Sequence, residues 1–348
     1  MLHLPRQMED IRTILNVINW RDLESQVEVE IRSRLAIVGP VNSGKSSLFN
    51  ALEGRDISEV SPVPGTTRDT VNEAFGPFTL IDTPGVDEAS GEAHRQIALK
   101  AVEQATAAVL LLDAGAGIRQ VDVDLYQQIK HMNKPVLVAL NKIDLIRSRD
   151  RISVINDGEH KLGVGIIALS ARTGEGIADL LIPAIVALNP KLAVAIGRAL
   201  PAYRQQATNR VIREAAFMAA GIGLEPVPFI DLPLLIGHQL RMVLRIAAIY
   251  GESFNLRHAR ELLSTIAGGV GIRYLGEQAA KWIPGPGWLV SAGFASGGTF
   301  AIGKAAAAYF ESGKQLNPSQ LQSIYKDFRQ RRQKADDKSQ ADPPENLS

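Results

Sequence analysis

The most chemically loaded stretch of the sequence is Gly39-Pro40-Val41-Asn42-Ser43-Gly44-Lys45-Ser46-Ser47, directly after the apolar run Leu35–Val38. Glycines at 39 and 44 let backbone N–H groups turn around an anion with no side chain in the way. Lys45 brings a positive charge to the same point, and the Ser46 hydroxyl suits a magnesium ion. A helix that starts here adds the positive end of its dipole. The G-x-x-x-x-G-K-S spacing thus predicts a cradle for a polyphosphate between a strand and a helix.

Three further clusters follow in order. The run Phe78–Ile81 leads into Asp82-Thr83-Pro84-Gly85. A carboxylate at that strand end can hold magnesium through its water, and the Gly85 N–H can reach a γ-phosphate. The run Val136–Leu140 leads into Asn141-Lys142-Ile143-Asp144. Guanine offers two adjacent donors, N1–H and the 2-amino group, which one carboxylate can accept together. Adenine would leave Asp144 unpaired, and a buried unpaired polar group is what makes rejection strong. Asn141 would bond the purine and brace the loop, while the Lys142 stem covers the ring. The run Ile166–Leu169 leads into Ser170-Ala171-Arg172, where the Ala171 N–H can meet guanine O6.

The elements that must position these residues can be read from the same runs. Leu35–Val38, Phe78–Ile81, Val109–Leu112, Val136–Leu140 and Ile166–Leu169 are near-continuous apolar stretches, as a parallel sheet covered on both faces requires. Amphipathic segments between them supply the crossovers. The expectation is a doubly wound α/β domain over 34–190, with ligands bound beyond the carboxyl ends of its strands. Residues 1–33 predict one amphipathic helix through Ile11, Ile14, Leu15 and Ile18. After Asn189-Pro190 the sequence turns rich in Ala, Gly, Leu and Ile, which predicts an all-helical domain over 191–316. Residues 317–348 hold a basic run, Lys326 to Lys334, and a polar tail read as disordered from Ala335.

Bulk composition narrows the classes. The 348 residues suffice for two domains, and 22% charged residues is an ordinary globular share. A formal net charge of +1 argues against a broad electrostatic nucleic-acid binder. The absence of cysteine excludes disulfides, thiolate zinc sites, iron–sulfur clusters and a cysteine nucleophile. The N-terminus has no apolar run of signal-peptide length, which fits a cytoplasmic or cytosol-facing protein.

With GPVNSGKSS, PGTTRD (Pro64–Asp69), DTPG, NKID and SAR in place, residues 34–190 resemble the translation-factor-like G proteins, and among them the Era/TrmE/EngA group. The resemblance implies a Mg²⁺-dependent GTPase in which Lys45, Thr67 and Gly85 form the catalytic set. Thr67 is implied as the switch I threonine that closes on magnesium and γ-phosphate, with Thr66 as the fallback. The implied metal set is Ser46, Thr67, Asp82 and, for a potassium ion beside the phosphates, Asn42. Nucleotide contacts are implied for Gly39, Asn42, Ser43, Gly44, Lys45, Ser46, Ser47, Asn141, Lys142, Asp144, Ser170, Ala171 and Arg172.

The sequence also departs from the pattern. Val86 stands where Ras-type enzymes place a water-orienting glutamine, so slow or assisted hydrolysis is expected, with K⁺, a partner, Glu88, Glu92 or His94 as candidates for the assistance. The stretch from Asp69 to Asp82 is short and predicts a clipped hairpin.

Glu225–Gly251 resembles, more loosely, the YcjF-type domain of unknown function, over about 205–312. That implies a helical domain often associated with membranes, with no known chemistry. Asp231, His238, Gln239 and Arg241 are its polar residues, read as caps and interhelical bonds. Trp282 to Gly303 carries no charge and admits two readings, a buried helical hairpin or a bilayer span. Gly293 and Gly297 form a G-x-x-x-G within it. The chain is expected to be a GTPase switch coupled to a membrane surface, membrane protein or other partner, with a nucleotide-dependent homodimer a further expectation. The rivals are a nucleotide-gated scaffold without turnover and an RNA or ribosome-assembly factor.

Overall fold

The computed structural model describes residues 20–54, 73–83, 91–223, 232–253, 256–266 and 287–341. The segment Pro64–Asp69 with Thr66 and Thr67, and also Gly85, Val86, Glu88, Asp231 and Ile11–Ile18, lie outside these residues. The chain divides into two compact units, Val29–Ala207 on one hand and Thr208–Ser348 with Met1–Glu28 on the other. The first unit thus runs past Asn189-Pro190, the point where the composition changes, to Ala207.

In chain order, the elements up to Ala207 begin with α1 (Trp20–Ile31), β1 (Leu35–Pro40), α2 (Lys45–Glu53), β2 (Glu73–Phe75), β3 (Phe78–Thr83) and α3 (Gly91–Gln104). They continue with β4 (Ala107–Asp113), α4 (Gln120–His131), β5 (Val136–Asn141), α5 (Ser148–Leu162), β6 (Ile166–Ala168), α6 (Ile182–Leu188) and α7 (Leu192–Ala199). The sheet order is β2-β3-β1-β4-β5-β6. All neighbours pair in parallel except β2 with β3. The five apolar runs all become these parallel strands, because a strand covered on both faces has no polar side to present. Leu35, Ala36, Ile37 and Val38 are all at most 1% exposed. One face packs Ala36, Val38, Leu110, Leu112 and Leu140 with Val102 and Ile129 of the crossover helices. On β1 the direction of winding across the sheet reverses, since its neighbours are β3 and β4.

The short connection before Asp82 does form a hairpin, with only three residues in β2 and a turn at Gly76-Pro77. Gly76 takes a φ of +56° there, a value glycine adopts without steric cost.

The second unit is helical. It contains the later part of α8 (Arg204–Gly223), with α9 (Leu232–Ile249), α10 (Leu256–Ile266), α11 (Gly287–Glu311) and α12 (Pro318–Ala341). Val211, Ile212, Ala215 and Ala219 of α8 are buried, as are Leu240, Met242, Val243 and Ile246 of α9 and Ala301, Ile302 and Ala305 of α11. Gly303 marks a close helix approach: a Cβ there would lie 2.8 Å from Ile212 Cγ1 and 3.0 Å from Met242 Sδ.

Of the polar residues that the sequence singles out in α9, His238 and Gln239 are interhelical, as expected. His238 Nε2 lies 3.1 Å from the Ala215 carbonyl, and Gln239 Nε2 donates to Thr299 Oγ1 at 3.0 Å. Arg245 pairs with Glu214 at 3.0 Å.

One expectation changes. The tail predicted to be disordered from Ala335 remains helical through Ala341. Its residues Ala, Lys and Gln are good helix formers, so polarity alone does not end the helix. Among the described residues, no helix is long and apolar enough to cross a membrane. Of the uncharged stretch Trp282–Gly303, the part from Gly287 lies in α11, where Thr299 and Ala301 are fully buried.

Candidate functional site

The loop between β1 and α2 has the geometry that its residue spacing requires. A Cβ on Gly39 would sit 2.1 Å from the Leu111 carbonyl oxygen, so no side chain fits. Gly44 has a φ of +93°, and a Cβ there would sit 2.3 Å from Asn141 Nδ2. Asn42 takes the left-handed region with a φ of +65°, which asparagine tolerates better than most residues. Lys45 opens α2 and is buried. Its ammonium donates to the carbonyls of Gly39 at 2.9 Å and Pro40 at 2.7 Å, and to Ser43 Oγ at 3.3 Å. Three strong donors therefore rest on the loop's own acceptors, at the positive end of a helix.

The parallel pairing of β1 and β3 places Asp82 in register with Gly39, and Thr83 with Pro40. This brings the end of β3 beside the phosphate loop. Glu92 and His94 fall in α3.

On the other side of the loop, Asn141 is 1% exposed. Its Nδ2 donates to the Ser43 carbonyl at 2.8 Å, and its Oδ1 accepts the Ala171 N–H at 2.9 Å. One side chain thus joins the phosphate loop, the end of β5 and the loop after β6. The Ala171 N–H, which the sequence assigns to guanine O6, is spent on Asn141, because a buried N–H must find a partner.

Lys142 is a non-glycine residue at φ +65°. Its Nζ pairs with Asp113 Oδ2 at 2.7 Å, while Asp113 Oδ1 accepts the Gly115 N–H at 2.8 Å. Asp113 is a site residue that sequence reasoning misses. Its signal is an acid that closes the apolar run Ala107–Leu112, and the register Asp113↔Asn141 places it.

Asp144 is the focus of the remaining contacts. Its Oδ1 accepts from Ser170 Oγ at 2.6 Å. Its Oδ2 accepts from Arg172 Nε at 2.9 Å and Nη2 at 2.6 Å. The Ser170 hydroxyl, and after it the Arg172 guanidinium, hold the carboxyl below its ordinary range against the opposing effect of burial. The group is therefore ionised at neutral pH and ready to accept hydrogen bonds.

An anion cradle, a carboxylate that accepts paired donors, and a brace between them make a two-ended site. One end suits phosphates and the other a base edge. Residues 34–142 match the family described as "50S ribosome-binding GTPase". The same region resembles the GTPase Der of Clostridium botulinum (strain Langeland), 34% identical over 178 residues, 47% of this chain and 40% of that protein.

These residues form a GTPase domain.

The GTPase domain is also similar to Der of Solidesulfovibrio magneticus, 38% identical over 157 residues, 42% of this chain and 34% of that protein. Among solved structures, an Era variant from Aquifex aeolicus bound to GDP·AlF4⁻ is 30% identical over 53% of this chain and 67% of that one, with a TM-score of 0.36. The chain spans 40% of the length of the first of these curated relatives. Residues 191–334 match a second family, described as a domain of unknown function, DUF697. The chain thus carries a GTPase domain, matched over 34–142, and a DUF697 region, matched over 191–334.

Proposed function

We propose that the protein binds GTP with its phosphates on Gly39–Ser47 and its base on Asp144, and hydrolyses it as a Mg²⁺-dependent switch. The observation that carries this reading is Asn141, which bonds the phosphate loop and the base-side loop at once. Two loops held at one spacing fit a ligand with a polyphosphate at one end and a purine at the other. Binding would draw the Lys45 ammonium from the loop carbonyls onto the β- and γ-phosphates. The Lys142 stem, pinned by Asp113, would lie against the ring.

The donors present fit magnesium, a hard cation that takes oxygen ligands and keeps several waters. Ser46 supplies a hydroxyl and Asp82, in register with Gly39, a carboxylate. Magnesium would neutralise charge on the β- and γ-phosphates. Thr67 and Gly85 would close on the γ-phosphate and release it after hydrolysis, as the two switch segments.

Val86 cannot orient water, so turnover is slow or assisted. Asn42, which matches the phosphate-loop asparagine of potassium-dependent members of the resembled group, is the residue that would hold an assisting K⁺ ion. Phosphate release measured in KCl and in NaCl tests this directly. Faster release in KCl is expected. Equal rates would remove the potassium role, and no release in either salt would favour a gated binding protein without turnover.

The helical unit would pass the nucleotide state to a membrane surface or protein partner. Exposed apolar side chains support this: Phe217 is 79% and Leu234 62% exposed. Fractionation of the native protein with and without a GTP analogue, followed by a salt wash, tests it. Nucleotide-independent recovery in the supernatant would count against the coupling.

A further inference from the structure

We infer that Arg172 is a built-in occupant of the guanine-reading carboxylate, which a guanine nucleotide displaces and which in turn hastens nucleotide release. The inference rests on the guanine reading proposed above and concerns the regulation of that same site.

The guanidinium presents two adjacent N–H groups on one planar edge. Guanine presents the same pattern with N1–H and its 2-amino group. Nε and Nη2 of Arg172 both donate to Asp144 Oδ2, at 2.9 and 2.6 Å. Ser170 Oγ occupies Oδ1 at 2.6 Å. A carboxylate offers about four lone-pair positions. At least three are filled, and guanine needs two. At least one existing bond must therefore break for the base to seat.

The two occupants differ in how firmly they are fixed. Ser170 is fully buried. Its Oγ also accepts the Thr173 N–H at 3.2 Å, and its own N–H donates to the Glu175 carbonyl at 2.9 Å. The Arg172 side chain is 68% exposed. It can swing into water and keep its hydration, so Arg172 yields and Ser170 stays. The same side chain is then positioned to retake Oδ2 as the base departs. Arg172 thus competes with guanine for one acceptor, lowering nucleotide affinity and speeding dissociation. A lysine there would offer a point charge in place of a two-donor edge.

The test measures release of fluorescent mant-GDP from the full chain by stopped flow. Arg172→Ala is expected to slow release and tighten binding roughly three- to fivefold, the scale of an exposed ion pair. Arg172→Lys should fall between wild type and alanine. The inosine analogue lacks the 2-amino group, makes one bond to Asp144 and leaves room for part of the Arg172 contact. Its release should therefore change less on substitution than that of mant-GDP. Unchanged or faster mant-GDP release in Arg172→Ala would overturn the inference, as would equal effects on the two nucleotides. Failure of the wild-type chain to bind mant-GDP is a separate result; it would sink the guanine reading and this inference with it.

Discussion

Asn141 Nδ2 donates to the Ser43 carbonyl at 2.8 Å, which ties the end of β5 to the phosphate loop. The same side chain holds the Ala171 N–H through its Oδ1. Asn141→Ala leaves a buried acceptor and a buried donor without their partners. The expected loss is roughly 2–4 kcal/mol of stability, together with most nucleotide affinity. Urea denaturation and GDP titration measure both. A variant of wild-type stability that still binds GDP would refute the bracing role.

Gly44 and Gly117 separate two kinds of glycine. Both have positive φ, but a Cβ on Gly44 overlaps Asn141 while one on Gly117 meets nothing within 4 Å. Gly44→Ala should weaken GDP binding more than tenfold. Gly117→Ala should cost only about 1 kcal/mol of stability, the backbone strain alone, and leave binding intact. Parallel GDP titrations of the two variants decide between a cradle at Gly44 and a merely permissive turn.

His238 carries a pH dependence of known sign. Burial pushes its pKa below the ordinary 6.5, despite its bond to the Ala215 carbonyl. Below that ordinary value the unfolded chain binds the proton that the folded chain refuses, so stability falls as pH drops. Above it both states are neutral and the residue has no effect on the pH slope. Chemical denaturation at pH 7.5 and pH 5.5 should show a smaller acid loss in His238→Gln than in wild type. An unchanged slope would contradict the buried neutral histidine.

Gly303 sits at a close approach of α11 to α8 and α9, facing Ile212 and Met242. Gly303→Val forces a branched side chain into that contact, at a cost of roughly 1–3 kcal/mol. The loss should appear in unfolding of the full chain. A change under about 0.5 kcal/mol would mean the helices separate freely.

The sheet was legible because its strands are apolar on both faces. Leu35–Val38 and Val136–Leu140 could not be half-exposed strands, and the glycines and polar residues after them had to lie at their carboxyl ends. Asp113 was not legible in the same way. One acid after an apolar run is uninformative until strand register sets it beside Asn141 and Lys142. The bond from the Ala171 N–H to Asn141 was not legible, because donor accounting needs the neighbouring loop, which only the fold brings within reach. Arg172 was legible as part of a motif, but its hold on Asp144 is a matter of side-chain direction, which residue spacing does not encode. The start of the tail, 335–341, was misread because polarity separates core from surface, not helix from coil.

The central claim is that Asp144 reads guanine in a GTP-hydrolysing enzyme. Xanthine carries a carbonyl where guanine has its 2-amino group, so it needs a donor where guanine needs an acceptor. Phosphate release from GTP and from XTP, measured in KCl with magnesium for wild type and Asp144→Asn, tests the claim directly. Wild type should prefer GTP, and Asp144→Asn should reverse that preference, with GTP use reduced at least a hundredfold. Retention of the GTP preference by Asp144→Asn, or equal use of both nucleotides by the wild type, would contradict the account.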